Sequence, residues 1–296
     1  MPRVLRFLID ERYEGRKVVH YLRGEAGLSA RLVQSLKRQP DGICLNGAYT
    51  RTIDSLHAGD ELTVCLPDDG ACVQPLDFPL QVLYEDEDLL LVNKPAGLAM
   101  HPTHNHQGDT LANAVAAYYQ AQGRHVVMRC VGRLDRDTSG VVVCALNRYA
   151  AARLSGKVEK EYLAAVSGRY EGSGTITRPI IRPDPLHTSR AVGEGGLPAV
   201  THWHAQMQGE GMTLLRIRLE TGRTHQIRVH FASLGTPLVG DSMYGQADSR
   251  IARQALHCAC ARFAHPVSGR ELYVEAPLPP DIAALCARMR PLPAQE

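Results

Sequence analysis

The chain has 296 residues, a net charge of +2, and 44% hydrophobic against 22% charged residues. That balance excludes a disordered or fibrous protein, and the length allows two domains of ordinary size. No run approaches the roughly 18 apolar residues of a membrane span, and so small a net charge does not by itself argue for a nucleic-acid partner. The opening stretch, "MPRVLRFLIDERYEG", is charged early and lacks the apolar core of a secretory signal, so a cytoplasmic protein is expected. The eight cysteines stand singly in apolar runs such as "GICLNG", "LTVCLP" and "VVVCALN", the pattern of free buried thiols. Cys258 and Cys260 have one residue between them and no second pair follows, which argues against a zinc site.

In chain order, "GRKVVHYLRGEAG" and "SARLVQSLKRQ" carry helical apolar spacing, with Ser29 placed to cap the second helix. "GICLNGAYT" and "AGDELTVCLP" then read as strands entered through glycine turns. Arg31, Lys37 and Arg38 fall on or just after the second helix and form a basic edge. "DDGACVQPLDFPL" reads as a linker, with acidic, glycine and proline content and little periodicity. Beyond it come strand, acidic turn and strand in "LQVLYEDEDLLLVNKPAG", then a helix in "GDTLANAVAAYYQAQ" opening at Asp109 or Thr110. "VVMRCVGRLDRDTSGVVVCALN" gives strand, loop, strand, and further strands are expected at "KEYLAAVSG", "VTHWHAQMQ" and "MTLLRIRLE". Helices follow at "THQIRVHFASLG" and "PDIAALCARMR". Strands outnumber helices without regular strand–helix alternation, which predicts an α+β fold with a mixed, largely antiparallel sheet.

Two stretches are dense in reactive side chains. In "GRLDRDTSG", Asp135 is flanked by Arg133 and Arg136 at the lip of an apolar strand. An aspartic-protease reading fails, because that chemistry needs two such loops sharing one proton and this chain has no second. A single carboxylate acting as nucleophile or base fits better, since a neighbouring arginine stabilises the ionised form and fixes its orientation. The arginines are supplied by "LETGRTHQIRVHFASLGTPLVGDSMYG", where Arg223, His225, Arg228 and His230 crowd together. His101, His104 and His106 in "HPTHNHQGD" have no carboxylate set to complete a metal site, and read as loop histidines at RNA phosphate or in solvent. Lys94, before Pro95, reads equally as an RNA contact or as punctuation of a turn.

"GRLDRDTSG", "VEKEYLA" and "TGRTHQIRVHFASLGTPLVGDSMYG", in that order after "YEDEDLLLVNKPAGLAMHPT", resemble the RluA-type RNA pseudouridine synthases over about residues 80–278. The segments "LSARLVQSLKR", "LNG" and "AGDELTV" resemble an alpha-L RNA-binding domain. The resemblance implies three segments: an alpha-L domain at residues 1–72, a linker at 73–80 and a catalytic domain at 81–296. It implies a cofactor-free and metal-free isomerase of uridines in structured RNA, ribosomal RNA before transfer RNA; nothing in the sequence speaks to oligomeric state, and a monomer is the default expectation. Asp135 matches the catalytic aspartate, Tyr162 the tyrosine that packs on the target base, and Arg228 the basic partner of the aspartate. Arg133 matches the arginine that enters the RNA stack; Arg223 and His225 join Arg31, Lys37 and Arg38 as expected RNA contacts. Asp137 is expected to bond within its loop and not to be catalytic. Where the family has histidine before Arg-Leu-Asp this chain has Gly132, which puts target choice in question. The rival is an RNA-binding protein that keeps the fold without activity; its mark would be loss of the nucleophile, and Asp135, Tyr162 and Arg228 are all present.

Overall fold

The computed structural model describes residues 3–67, 73–103 and 107–293. Cys72, the first part of the expected linker, and His104 and His106 lie outside the described residues. Near the N-terminus, strands β1 (Val4–Leu8), β2 (Ile43–Leu45), β3 (Ala48–Tyr49) and β4 (Glu61–Cys65) form one antiparallel sheet in the order β1-β4-β2-β3. Helices α1 (Val18–Arg23) and α2 (Ala30–Leu36) bury Val18, Leu22, Leu32, Val33 and Leu36 beside Leu5, Ile43, Leu62 and Val64 of this sheet. Each such aliphatic side chain contributes about 1.5–3 kcal/mol by leaving water. Ser29 caps α2 as its position suggests, its hydroxyl accepting from the Leu32 amide at 3.2 Å.

The remaining strands build the main sheet, which is eleven-stranded among the described residues. They are β5 (Gln81–Glu85), β6 (Leu89–Lys94), β7 (Arg129–Cys130), β8 (Ser139–Ala145), β9 (Glu159–Ser167) and β10 (Ser173–Ile176), then, after a short hairpin, β13 to β17. The hairpin pairs β11 (Ile180–Ile181) with β12 (Ala191–Val192). The last five are β13 (Thr201–Gly209), β14 (Met212–Leu219), β15 (Leu256–Ala264), β16 (Glu271–Glu275) and β17 (Arg290–Pro291). Their order is β10-β13-β14-β9-β15-β8-β6-β5, with β7, β16 and β17 attached to β8, β15 and β13. Every pairing is antiparallel except that of β8 with β15. The fold is thus α+β with a largely antiparallel sheet.

All seven residues of β8 are buried, which explains why its sequence, "SGVVVCA", runs apolar instead of alternating. Four helices pack on this sheet: α3 (Leu111–Gln120), α4 (Arg148–Leu154), α5 (Gln226–Ala232) and α6 (Pro280–Cys286). Leu111, Val115, Leu154, Ile227 and Phe231 join Leu91, Val142 and Leu215 in its core. Contacts that tie the N-terminal sheet to the larger one include Tyr149 of α4, which lies in the smaller core, and Arg3, which donates to both carboxylate oxygens of Asp88 at 2.9 and 2.8 Å. Among the described residues no helix is long and apolar enough to cross a membrane. Among the described cysteines, Cys144, Cys258 and Cys260 are buried, whereas Cys44, Cys65, Cys130 and Cys286 are only half-buried.

Candidate active site

The loop between β7 and β8 carries Asp135, and it is held from three directions. Thr138 donates its amide to the Asp135 carbonyl at 3.1 Å, closing the turn. From β6, the wholly buried Lys94 donates to the carbonyls of Pro95, Leu98 and Arg136 at 2.8, 2.9 and 2.8 Å. From the far side, Arg253 donates to the Asp137 carbonyl at 3.0 Å while its other nitrogens bind Asp281. Lys94 is therefore buried away from any RNA contact; it braces the turn that follows it, as one of its two readings expected, and also stands as an internal post under the Asp135 loop. The loop then enters β8 through Gly140, whose φ of +114° and 2.1 Å clearance between a notional Cβ and the Cys258 carbonyl admit no side chain.

The Asp135 carboxyl is 15% exposed and receives Arg228 Nη1 on Oδ2 at 3.2 Å. Arg228 comes from α5, and its other face is fixed by Asp241, with Nε–Oδ2 at 2.7 Å and Nη2–Oδ1 at 2.9 Å. A bidentate grip of this kind sets the guanidinium plane and leaves one nitrogen to face Asp135. Burial works against the Arg228 charge, and Asp241 and Asp135 together outweigh it. Tyr162, in the middle of β9, is buried beside this pair; burial first, then Cys258 and Asp135, push its phenol well above the usual range. It therefore stays a neutral phenol across ordinary pH.

Asp135, Tyr162, Arg228, Arg133, Arg223 and His225 all line one cleft of about 450 Å³, a size that takes a single nucleotide. Leu134, Ile227 and Leu219 give it apolar walls. Arg133 is exposed at its edge, and Arg223 is anchored through Nε to the Pro198 carbonyl at 3.0 Å. His225 turns inward: its Nε2 lies 3.9 Å from Asp135 Oδ1 and its Nδ1 2.7 Å from the Tyr244 hydroxyl. Burial, with Arg228, Arg190 and Arg133, holds its imidazole below the ordinary value against the pull of Asp135. Asp137 bonds its neighbour Arg136 at 3.2 Å on the outside of the loop. Gly132 has a φ of +78°, and a Cβ there would meet Lys160 Nζ at 3.4 Å, so in this chain a lysine from β9 stands where a side chain would project. Arg31, Lys37 and Arg38 lie outside this cleft, exposed on the N-terminal unit.

A model of the RNA pseudouridylate synthase family matches residues 88–233. Two Bacillus subtilis proteins named as uncharacterized RNA pseudouridine synthases, YjbO and YhcT, are each 38% identical to this chain. The first alignment covers 88% of this chain and 95% of its relative, the second 96% and 97%. The chain belongs to the RNA pseudouridine synthases. Ribosomal large subunit pseudouridine synthase D of Xanthomonas campestris is 39% identical over 83% of this chain and 80% of its own length. The human RNA pseudouridylate synthase domain containing 1 superposes with a TM-score of 0.57 at 28% identity, over 74% of this chain and 91% of its own. Membership of the RluA-type pseudouridine synthases makes the protein an isomerase acting on RNA.

Sequence reasoning assigns no role to two contributors to the site, Asp241 on Arg228 and Tyr244 on His225. Asp241 and Tyr244 in "GDSMYG" reach Arg228 and His225 only because the chain turns back after α5. The signal available was an acid and an aromatic close behind an arginine-rich helix, which marks a candidate partner but not which cation it meets. Among the described residues, Asp86, Asp88 and His265 also bring oxygen and nitrogen atoms together. Protein donors already use these oxygens: Arg3 and Asn147 on Asp88, and Tyr84, with the amides of Asp88 and Leu89, on Asp86.

Proposed function

We propose that this enzyme converts specific uridines of structured RNA, in ribosomal RNA before transfer RNA, to pseudouridine with Asp135 as the catalytic residue. The observation that carries this reading is the Asp135–Arg228 pair on the floor of a nucleotide-sized cleft walled by Tyr162. The reaction breaks the bond from C1′ to N1 of uracil and forms one from C1′ to C5. A proton leaves C5 and one is gained at N1, so composition is unchanged. A carboxylate oriented by a guanidinium can act on the nucleoside while the detached base turns, and the buried Tyr162 ring offers a face for that base. Reaching it requires the nucleotide to leave the RNA stack, and the exposed Arg133 at the cleft edge is placed to fill the gap. The N-terminal unit, read as an alpha-L RNA-binding domain over residues 1–72 with a linker at 73–80, adds phosphate contacts through Arg31, Lys37 and Arg38. The ribosomal preference is supported by the name of the Xanthomonas relative.

The deciding experiment is pseudouridine mapping by carbodiimide adduct and primer extension on total RNA. Cells with the gene, without it, and carrying Asp135→Asn are compared. A ribosomal site that vanishes in both deficient strains, while purified Asp135→Asn protein still binds that RNA, supports the reading. Turnover by Asp135→Asn near the wild-type rate removes the aspartate from its role, and a lost site in transfer RNA alone overturns the ribosomal preference.

A further inference from the structure

His225 has a backbone unusual for its place. Asn46, Glu210 and His225 are the non-glycine residues with positive φ among those described; the first two precede glycines in hairpin turns, whereas His225 opens a helix. A left-handed conformation costs an ordinary residue about 1–2 kcal/mol, and strain of this size persists where surrounding contacts impose it. Tyr244 supplies such a contact. Its hydroxyl lies 2.7 Å from His225 Nδ1 and 2.8 Å from the Arg190 amide. Its ring meets the His225 ring edge-on at 5.6 Å and lies 5.0 Å from the Arg228 guanidinium carbon.

The hydrogen count at the Tyr244 oxygen is informative. The Arg190 amide can only donate, so it takes an acceptor position on that oxygen. The hydroxyl's own hydrogen is then free to point at its other partner, His225 Nδ1, and that bond forms when Nδ1 is bare. In that arrangement the imidazole proton sits on Nε2, the nitrogen facing Asp135 Oδ1 at 3.9 Å. Oδ1 is the oxygen that Arg228, bound to Oδ2, leaves open.

We propose that Tyr244 is a positioning residue for the reaction: its ring backs Arg228, and its hydroxyl fixes His225 as a neutral Nε2–H donor aimed at the open oxygen of Asp135. This rests on the catalytic reading of Asp135 and extends it with a second donor, one step behind the carboxylate. It also gives the hairpin of β11 and β12 a part in the site. Arg190, next to β12, donates its backbone amide to Tyr244, so hydrogen bonds run from the hairpin through Tyr244 to His225, whose Nε2 faces the aspartate at 3.9 Å. The groups facing His225 are Asp135, Arg228, Arg190, Arg133 and Tyr244. All but Tyr244 are charged, and the three cations among them disfavour a fourth.

Two measurements test this. Nitrogen-15 spectra of labelled protein near neutral pH, with the His225 signals assigned by their loss in His225→Gln, report the tautomer without any turnover. Wild type is expected to show the proton on Nε2, and Tyr244→Phe a mixture of the two tautomers. Single-turnover kinetics then use an unmodified transcript of large-subunit ribosomal RNA. Tyr244→Phe is expected to lower the saturating rate about tenfold, the size of a lost orienting hydrogen bond, with the half-saturating RNA concentration within about twofold of wild type. Tyr244→Leu, which also removes the ring from under Arg228, lowers it further. A proton on Nδ1, or a charged imidazole, in the wild-type spectra overturns the proposal. So does an unchanged rate in Tyr244→Phe, or a loss confined to half-saturation. Because the tautomer is read without product, its failure is separable from a failure of Asp135 as the catalytic residue.

Discussion

Lys94 shows how much of the Asp135 loop's position can rest on one buried side chain. Three carbonyl oxygens surround its Nζ at 2.8–2.9 Å, and only an ammonium carries three protons to satisfy them. Burial opposes that charge and pulls the group down to about 7, so the site holds its cation at a cost. Removing it by Lys94→Met leaves the Pro95 and Leu98 carbonyls without their lysine donor, while the Arg136 carbonyl keeps the Gly97 amide at 3.0 Å; at roughly 1 kcal/mol for each of the first two, a loss of about 2 kcal/mol is expected. Urea unfolding measures this, and a loss under about 1 kcal/mol would show that the carbonyls find other donors. The turnover rate should fall as well, because the Arg136 carbonyl that Lys94 holds lies one residue past Asp135. None of this was legible beforehand. A lysine before a proline looks like a surface turn, and its third acceptor lies 42 residues away. Asp135 and Arg228 were legible, because reactive residue types clustered in two short runs. Their 93-residue separation was bridged only by the resemblance to known enzymes.

At the scale of elements, the strand and helix assignments held wherever burial was one-sided or the cap was explicit, as in α2 after Ser29. The pairing of β8 with β15 was not readable. It is the one parallel junction among the described pairings of an otherwise antiparallel sheet, and parallel neighbours must be joined by a long crossover whose path no local periodicity reports. Ser139 and His257 face each other across it, with Oγ 2.9 Å from Nδ1, and Arg253 adds a bond to the same hydroxyl at 3.2 Å. Burial, with Arg253 contributing, pulls the His257 imidazole down to about 4 from an ordinary 6.5. The sign follows directly. Below pH 6.5 the unfolded chain binds a proton that the folded chain refuses until about 4, so stability is lost as pH falls through that window. The loss from this one residue is roughly 3 kcal/mol, levelling off below pH 4. Denaturant titrations at a series of pH values should show a shallower acid loss in His257→Gln than in wild type. Parallel curves would mean that other groups carry the acid sensitivity.

Over the whole molecule, the net charge of +2 says less about RNA than the places where individual cations stand. Asp88, Asp241 and Asp281 are taken up in pairs with Arg3, Arg228 and Arg253, whereas Arg31, Lys37, Arg38 and Arg133 are exposed, as are acids such as Glu14 and Glu87. The Arg3–Asp88 pair and Tyr149 hold the N-terminal unit against the main sheet, so its basic edge and the cleft belong to one surface-bearing body. RNA bound by both would release counterions at each phosphate contact, and the logarithm of affinity would fall linearly with the logarithm of salt concentration. Replacing Arg31, Lys37 and Arg38 together by alanine should make that slope shallower by about 2, at 0.7–0.9 per lost contact. The rate at saturating RNA should stay close to wild type, because the three residues stand outside the cleft. Binding measured at several salt concentrations on one ribosomal transcript decides the matter. An unchanged slope would place the phosphate contacts elsewhere, and a lowered saturating rate with the slope intact would mean that the N-terminal unit shapes the cleft instead of gripping the RNA.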